Sequence, residues 1–274
     1  MTNITNITSI TAARSNSTSE LAICAIFNNE GLYLKEWIEF HLLVGVKKFY
    51  LYNNSSTDNF MEVLAPYIES GIVDLTDWSI PKPCQLSAYQ NLFQRLYGQK
   101  LWVAFIDCDE FLFSPTWNLT ELLGQINRPL AIGVNWVCFG SSGKDTYEAG
   151  LVIERFTWRP EKSIDANTHI KSIIRMDQQI MLGQDPHYFW VPAGTFNELG
   201  ETITGPFSRH STDFIRINHY CTKSKEEWLI RTAKGKADRV SFPLDWKYFN
   251  QYQALDVDDR IIQQILPELK LKLV

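Results

Sequence analysis

Strand-like and helix-like segments alternate from residue 21 onward, and this alternation constrains the fold more than any other feature. Residues 21–27 form an unbroken apolar run, which is typical of a strand buried on both faces. Further strand patterns follow at 48–52, 72–78 and 101–106, and apolar residues repeat at helical spacing between them. The order β-α-β-α-β-α-β predicts an α/β protein with a Rossmann-like, mostly parallel mixed sheet sandwiched by helices.

The rest of the chain is less regular. Strand patterns occur at 130–137, 151–158, 170–176 and 214–219, and helical patterns at 224–239 and 258–266. No linker-like stretch interrupts them, so we predict a single domain. Residues 1–20 are rich in Thr, Asn and Ser and are predicted to be a disordered tail. Residues 241–274 are predicted to form a C-terminal helical extension.

Composition excludes several classes of protein. The net charge of −5 disfavours a nucleic-acid-binding role, because phosphate contacts need a basic excess. The five cysteines show no C-x-x-C spacing, which favours reduced thiols in a cytoplasmic protein over a zinc site. We find neither a signal-peptide pattern nor an apolar stretch of the roughly 18–20 residues that a membrane span needs.

Polar residues gather directly after the predicted strands. Asn28 and Glu30 follow the first strand, Asn54 follows the second, and an acidic run beginning at Asp107 follows the fourth. In open α/β sheets, ligands bind beyond the carboxyl ends of the strands. Helix capping explains some polar residues at such places, but it does not explain the run Asp-Cys-Asp-Glu at 107–110.

Asp107 and Asp109 are candidate ligands of a divalent cation. If this segment stays extended, both carboxylates point to one face, and their repulsion favours a cation between them. Oxygen ligands suit Mg²⁺ or Mn²⁺, which substrate phosphates would share. A second D-x-D at 256–258 precedes a helical pattern and is predicted to be a solvated helix start.

Five motifs, in one order, resemble glycosyltransferase family 92. They are N-E-x-x-Y-L-x-E-W-I-E-F-H at 29–41, Y-N-N-S-S-T-D at 52–58, W-V-A-F-I-D-C-D-E-F-L-F at 102–113, W-x-x-F-G-S-S-G at 136–143 and N-H-Y-x-x-K-S-x-E-E-W at 218–228. The resemblance implies a GT-A fold over residues 21–240, with a nucleotide-binding half at about 21–115 and an acceptor half at about 116–240. It also implies a UDP-sugar donor with galactose favoured, a divalent metal, usually manganese, and inversion at the anomeric carbon.

The resemblance assigns roles by motif position. Asp109 is the expected metal ligand, Asp107 contacts the ribose or the metal, and His219 completes the metal site. Asn28, Glu30 and Asn54 would hold the nucleotide base, and Gln85 would contact the donor.

The basic stretch at 223–239 has two interpretations. It is either a solvated helix face, or it places Lys223 on the donor diphosphate and its other cations against anionic lipid at the inner membrane face or an acidic acceptor.

The resemblance to GT-A enzymes implies that the general base lies between the acidic run and His219 along the chain. We predict Asp185, with Asp165 and Glu148 as alternatives. Trp136 and Trp190 are candidate platforms for the acceptor, with core packing as the alternative. The loop at 140–143 is either a plain turn or a contact to donor sugar or acceptor.

Three functions therefore remain in competition. The first is transfer of a hexose to a glycan or lipid-linked glycan, as in polysaccharide biosynthesis. The second is a metal-dependent nucleotidyltransferase or phosphoesterase, which would use the same Asp107, Asp109 and His219. The third is a non-catalytic module that binds sugar nucleotides or glycans. The sequence indicates no oligomeric state.

Overall fold

A computed structural model of the chain describes residues 20–115, 119–124, 126, 130–161, 164–240 and 243–274. The predicted tail at 1–19 therefore lies outside the described residues. The strands are β1 (Leu21–Phe27), β2 (Lys48–Asn53), β3 (Val73–Asp77), β4 (Trp102–Phe105), β5 (Glu110–Phe113), β6 (Ala131–Cys138), β7 (Trp158–Arg159), β8 (Ile170–Arg175), β9 (Met181–Leu182), β10 (Phe189–Trp190), β11 (Thr195–Phe196), β12 (Thr202–Ile203), β13 (Arg216–His219) and β14 (Val257–Asp258).

Helices cover the sheet. They are α1 (Gly31–Leu43), α2 (Phe60–Glu69), α3 (Gln85–Leu96), α4 (Leu119–Gly124), α5 (Val152–Arg155), α6 (Lys225–Lys234), α7 (Trp246–Asn250) and α8 (Leu266–Leu273), with 3₁₀ turns at Asp165–Thr168 and Ile261–Ile265. In the part of the chain that the structure describes, no helix is long and apolar enough to cross a membrane.

One mixed sheet organises the molecule. Its order is β12-β11-β6-β8-β4-β1-β2-β3. Strands β4, β1, β2 and β3 run parallel, and β8 pairs antiparallel with both β4 and β6. Strand β13 bridges β5 and β6 beside this path. The α/β class predicted from the alternation is confirmed, and the carboxyl ends of β1, β2 and β4 meet at one edge.

Both faces of the central strands are buried, as the unbroken apolar runs predict. Every residue of β1 is buried. One face packs on α1, α2 and α8, around side chains such as Trp37 and Leu269. The other packs on α3, around Tyr89 and Phe93. Two-sided burial requires apolar residues at every position of a strand, which explains why unbroken apolar runs located these strands.

The structure corrects three predictions in the second half. The expected strand at 151–158 is the short helix α5 followed by β7, because the buried Glu36 carboxylate accepts hydrogen bonds from the backbone of Val152 and Ile153. The helix predicted over 224–239 ends at Lys234, because Gly235 has φ +75°. The second D-x-D begins no helix; its last two residues form β14, which pairs with β7. The helix predicted over 258–266 is a 3₁₀ turn that precedes α8.

The segment at 243–274 belongs to the same core. Tyr252 and Leu269 are buried in the cluster that contains α1. Asp259 forms ion pairs with Arg159 of β7 at 2.8 Å and Arg216 of β13 at 2.9 Å. Gly140 lies against the backbone of Tyr252, where an added Cβ would come within 2.1 Å of the carbonyl oxygen. The described part of the predicted extension therefore packs against the same core.

Candidate active site

Two asparagine side chains hold the strand ends in place. Asn28 Nδ2 donates to the carbonyl oxygens of Asn54 at 2.7 Å and Ser55 at 3.1 Å, which ties the end of β1 to that of β2. Asn54 Nδ2 donates to the carbonyl oxygens of Trp78 at 2.9 Å and Ile80 at 3.1 Å, which ties β2 to the segment after β3. Both asparagines line the cleft that opens at this edge. Their side-chain amides thus fix the positions of the strand ends that line the cleft.

The acidic run forms a tight turn, so the extended conformation considered for it is not the observed one. The backbone N–H of Asp107 donates to the Glu110 carboxylate at 3.0 Å, and that of Glu110 donates to the Asp107 carbonyl at 3.1 Å. The Asp107 carboxylate accepts hydrogen bonds from Gln85 at 2.9 Å and Lys171 at 2.8 Å. Asp107 and Asp109 nevertheless both line the cleft.

Asp109 and His219 face each other beside this turn. Antiparallel pairing of β13 with β5 sets His219 opposite Glu110. His219 Nε2 lies 3.6 Å from Asp109 Oδ1, while Asp109 Oδ2 pairs with Arg231 at 2.8 Å. Asp109 Oδ1 and both ring nitrogens of His219 are buried without a hydrogen-bond partner among the described residues. These are atoms that an additional ligand would satisfy.

A divalent cation fits these groups. Asp109, Glu110 and His219 place one ligand atom each within 4.8 Å of one another, and they form the one such cluster found in the described chain. Burial lowers the pKa of His219 to about 4, against the raising effect of Asp109, so the imidazole is neutral. A neutral imidazole is the form that binds metals. The mixed oxygen and nitrogen set suits Mn²⁺ better than Mg²⁺, which prefers oxygen ligands.

Charges of both signs balance in the site. Burial raises the pKa of Asp109, but the Arg231 guanidinium, together with Lys223 and the other groups around the carboxylate, outweighs burial and holds that pKa well below its usual range. Burial likewise opposes ionisation of Asp107, and Lys171 outweighs it so that the pKa of Asp107 is lowered. Burial dominates at Glu110 and raises its pKa well above the usual value. Asp107 and Asp109 are therefore the ionised carboxylates of the turn.

Helix α6 and the segment after it form a basic wall. The cleft has a volume of about 510 Å³. Its lining includes five cations, namely Lys82, Arg231, Lys234, Lys236 and Arg239. Lys234 pairs with Glu30, and the carbonyl of Ala237 accepts from the backbone of Cys84 at 2.8 Å, which docks the segment against the start of α3. The basic stretch therefore lies largely in the cleft wall.

Aromatic rings form another wall. Trp136 stacks on His169 with ring centroids 5.0 Å apart, and its ring lies 4.3 Å from that of His219. His187 lines the cleft and meets Trp136 edge-on at 5.3 Å. Phe207, which is 55% exposed, meets His169 edge-on with ring centroids 4.5 Å apart. A row of rings thus leads from the surface to the candidate metal ligand.

Most of the residues predicted from strand ends converge on this cleft. Its lining includes seven of the nine predicted site residues, namely Asn28, Glu30, Asn54, Gln85, Asp107, Asp109 and His219. Their individual roles stay predictions.

Lys223 and Asp185 are not in the described lining of the cleft. Lys223 Nζ lies 4.3 Å from the centroid of the Tyr33 ring. The Asp185 carboxylate accepts the backbone N–H of His187 and lies within hydrogen-bond distance of its Nδ1. Trp190 is 46% exposed on β10, and the loop at 140–143 packs under the C-terminal segment. Neither belongs to the described lining.

Sequence reasoning missed several residues of the site. Lys171 had a signal, because it is a lysine within the isoleucine-rich strand pattern I-K-S-I-I. Glu110 belongs to the acidic run but was given no role. His169 and His187 stand in irregular segments with no local pattern, so only their tertiary position identifies them.

Comparison of the sequence with known proteins identifies a family. The sequence profile of Glycosyltransferase family 92 matches residues 19–190. A glycosyltransferase family 92 protein of Ricinus communis is 30% identical over 268 residues, covering 91% of this chain and 48% of the relative. Another from Oryza sativa subsp. japonica is 30% identical over 234 residues, covering 83% of this chain and 37% of the relative. The chain thus spans half or less of the length of these relatives.

Among solved structures, Staphylococcus aureus TarS 1-349 in complex with UDP matches with a TM-score of 0.37 and 13% identity, over 57% of this chain and 47% of that one. GalNAc-T7 with UDP, GalNAc and Mn²⁺ matches with a TM-score of 0.40 and 11% identity, over 77% of this chain and 46% of that one. At these scores the similarity carries no information about the ligands of this chain.

Proposed function

The chain belongs to glycosyltransferase family 92, and from that premise we propose that it is a metal-dependent glycosyltransferase of the GT-A type. The donor is a UDP-sugar, with galactose as the first candidate, and the acceptor is a hydroxyl of a glycan or lipid-linked glycan. One observation carries the proposal: Asp109 Oδ1 and His219 Nε2 lie 3.6 Å apart, buried and unbonded among the described residues, beside a basic cleft wall.

The residues of the cleft divide the work of donor binding. Asp109 and His219 would hold Mn²⁺, or Mg²⁺ in its place, with Glu110 and Asp107 adjacent. When bound, the metal would neutralise negative charge on the diphosphate leaving group. Arg231, Lys234 and Lys236 add positive charge at fixed positions. Such preorganised charge stabilises a developing anion without reorganisation. These cations, rather than Lys223, are our proposed diphosphate contacts.

The remainder of the donor would occupy the strand ends. Asn28, Glu30 and Asn54 lie at the carboxyl ends of β1 and β2, where the base would bind. Gln85 keeps Asp107 oriented through its hydrogen bond at 2.9 Å. Transfer would proceed with inversion: the acceptor oxygen attacks the anomeric carbon as the carbon–oxygen bond to the diphosphate breaks on the opposite face.

Calorimetric titration with UDP tests the proposal. We expect UDP to bind in the presence of Mn²⁺ and at least about tenfold more weakly in EDTA, a difference of about 1.4 kcal/mol. Asp109→Asn and His219→Gln should lose this metal dependence while keeping the far-UV circular dichroism of the parent. The matched control is Asp258→Asn in the second D-x-D, which should bind UDP like the parent.

The outcomes separate the competing functions. UDP release from UDP-galactose with formation of a glycoside supports transfer. Release of pyrophosphate from UTP instead supports a nucleotidyltransferase, and binding without any turnover supports a non-catalytic module. Absence of UDP binding with every divalent metal would refute the proposed donor class.

A further inference from the structure

The pair Asp185–His187 brings an imidazole to the cleft. His187 Nδ1 lies 2.6 Å from Asp185 Oδ1, and the same oxygen accepts the backbone N–H of His187 at 2.8 Å. The His187 side chain is 15% exposed and lines the cleft, whereas that of Asp185 is 46% exposed and lies outside the described lining. Asp185 therefore contacts the cleft through His187.

The histidine is held from three sides. Its carbonyl oxygen accepts a hydrogen bond of 2.8 Å from Ser172, which is buried on β8. Its ring packs against Trp136 at 5.3 Å and His169 at 5.9 Å. Because an ionised carboxylate only accepts hydrogen bonds, Nδ1 carries the proton that it shares with Asp185. Nε2 is left with its lone pair, and it has no hydrogen-bond partner within the described part of the chain.

We propose that His187 is the general base of the transfer reaction and that Asp185 is its positioning residue. The inference rests on the proposed glycosyl transfer. Nε2 takes the proton of the acceptor hydroxyl as its oxygen bonds to the anomeric carbon, and the electron pair of the broken carbon–oxygen bond leaves with UDP. Asp185 fixes the tautomer and stabilises the imidazolium, as carboxylates do for catalytic histidines generally. The proton then passes from His187 to solvent.

The carboxylates that line the cleft are engaged elsewhere. Asp107 pairs with Lys171, Asp109 with Arg231, Glu30 with Lys234 and Asp238 with Arg239, and Asp245 accepts two backbone N–H groups at the start of α7. His169 is the nearest rival, but its Nδ1 lies 3.2 Å from the carbonyl of Ala166. A carbonyl fixes a tautomer without supplying the negative charge that stabilises an imidazolium.

The surroundings keep His187 neutral in the resting protein. Burial lowers its pKa, and so does the charge of Lys171 on β8, while Asp185 on its own loop and Asp107 in the β4–β5 turn raise it. The His169 ring also faces the ring of His187, and the positive charge of Arg239 interacts with the Asp185 carboxylate. The result is a pKa below the ordinary histidine value. At neutral pH the imidazole is therefore ready to accept a proton.

Nuclear magnetic resonance of the imidazole nitrogens tests the tautomer without any acceptor. The full chain, ¹⁵N-labelled and loaded with Mg²⁺, contains five histidines, and His187→Gln assigns the signals. We expect the neutral Nδ1–H form at pH 7, with a titration midpoint that falls further in Asp185→Asn. An Nε2–H tautomer, or an imidazolium at pH 7, would overturn the proposal.

Kinetics test the role itself. With UDP-galactose, Mn²⁺ and methyl β-galactoside as acceptor, His187→Gln should lower kcat by about 10²–10⁴-fold, the usual contribution of a general base. Its UDP affinity should stay within about twofold of the parent. Asp185→Asn should lower kcat less and move the acidic limb of the pH profile to lower pH, because the imidazolium loses its counter-charge. His169→Gln is the matched comparison: it should change KM and leave the acidic limb of the pH profile where it is in the parent.

Two failures are distinguishable. If His187→Gln transfers at the parental rate with an unchanged pH profile, the base lies elsewhere and the glycosyltransferase proposal stands. If the parent protein neither binds UDP nor releases it from a UDP-sugar, the proposed function falls, and the base proposal falls with it.

Discussion

Lys236 shows how one half-buried cation would make donor binding depend on pH. It lines the cleft, and burial together with the charge of Arg231 lowers its pKa to about 8. The ammonium form, which attracts a diphosphate, is therefore lost as the pH rises through about 8.

UDP affinity should consequently fall between pH 7 and 9.5. A hydrogen bond to a charged group contributes about 1.5 kcal/mol, so we expect a loss of about tenfold. Lys236→Arg should abolish this dependence, because a guanidinium stays protonated throughout. Calorimetry with Mg²⁺ measures the effect, and Lys272→Arg on the exposed face of α8 is the control. An affinity that stays constant up to pH 9.5 in the parent would contradict the assignment.

Helix α6 shows how a local capping motif supports the site from a distance. Ser224 Oγ accepts the backbone N–H of Glu227 at 3.2 Å, and the Glu227 carboxylate accepts that of Ser224 at 3.1 Å, which is a complete capping box. The helix carries Arg231 and Lys234 into the cleft wall. The capping box at the start of the helix therefore helps to hold both cations in position.

Ser224→Ala should destabilise the fold by about 1 kcal/mol, the usual cost of losing an N-cap. The melting temperature should fall by about 2–4 °C. UDP should also bind more weakly, because a weakened start loosens the helix whose last turn carries Arg231 and Lys234. Ser87→Ala, an exposed serine on α3, serves as control and should change stability by less than about 0.5 kcal/mol. Equal melting temperatures for the two variants would show that the cap contributes nothing.

Elements differ in how well the sequence predicts them. Strands β1, β2, β3 and β4 and helices α1, α2 and α3 were all predicted, because each lies within an apolar run or a helical repeat of five or more residues. Strand β7 and helix α5 have two and four residues. Elements of that length show no periodicity. Helix α5 exists because Glu36 of α1 caps it, which is a contact across 116 residues of chain.

A buried ionic cluster connects the C-terminal segment to the sheet. Asp259 pairs with Arg159 and Arg216, and all three side chains are less than 10% exposed. Burial opposes ionisation of Asp259, but Arg216 and Arg159 outweigh it and lower its pKa. The stability that this carboxylate contributes is thus present above the ordinary Asp pKa and is lost as pH falls through the lowered folded value.

Asp259→Asn should leave two buried guanidinium groups without their counter-charge. We expect a loss of about 3–5 kcal/mol in the free energy of unfolding at pH 7, measured by urea denaturation. The difference from the parent should shrink in acid, where the parent carboxylate is also protonated. Asp145→Asn, at an exposed loop position, is the control. A loss below about 1 kcal/mol would mean that the segment is held by apolar packing alone.

The sequence by itself determined the α/β class and the sheet edge that carries the acidic run, because strand burial and strand-end chemistry depend on near neighbours along the chain, and the family resemblance added His219. The tertiary structure decided which side chains meet there. Pairing of β13 with β5 sets His219 beside Asp109, and the fold directs Arg231 inward while Lys223 packs on Tyr33. It also sets Asp185 behind His187 rather than in the cleft. These arrangements depend on contacts between distant segments, which no local pattern encodes.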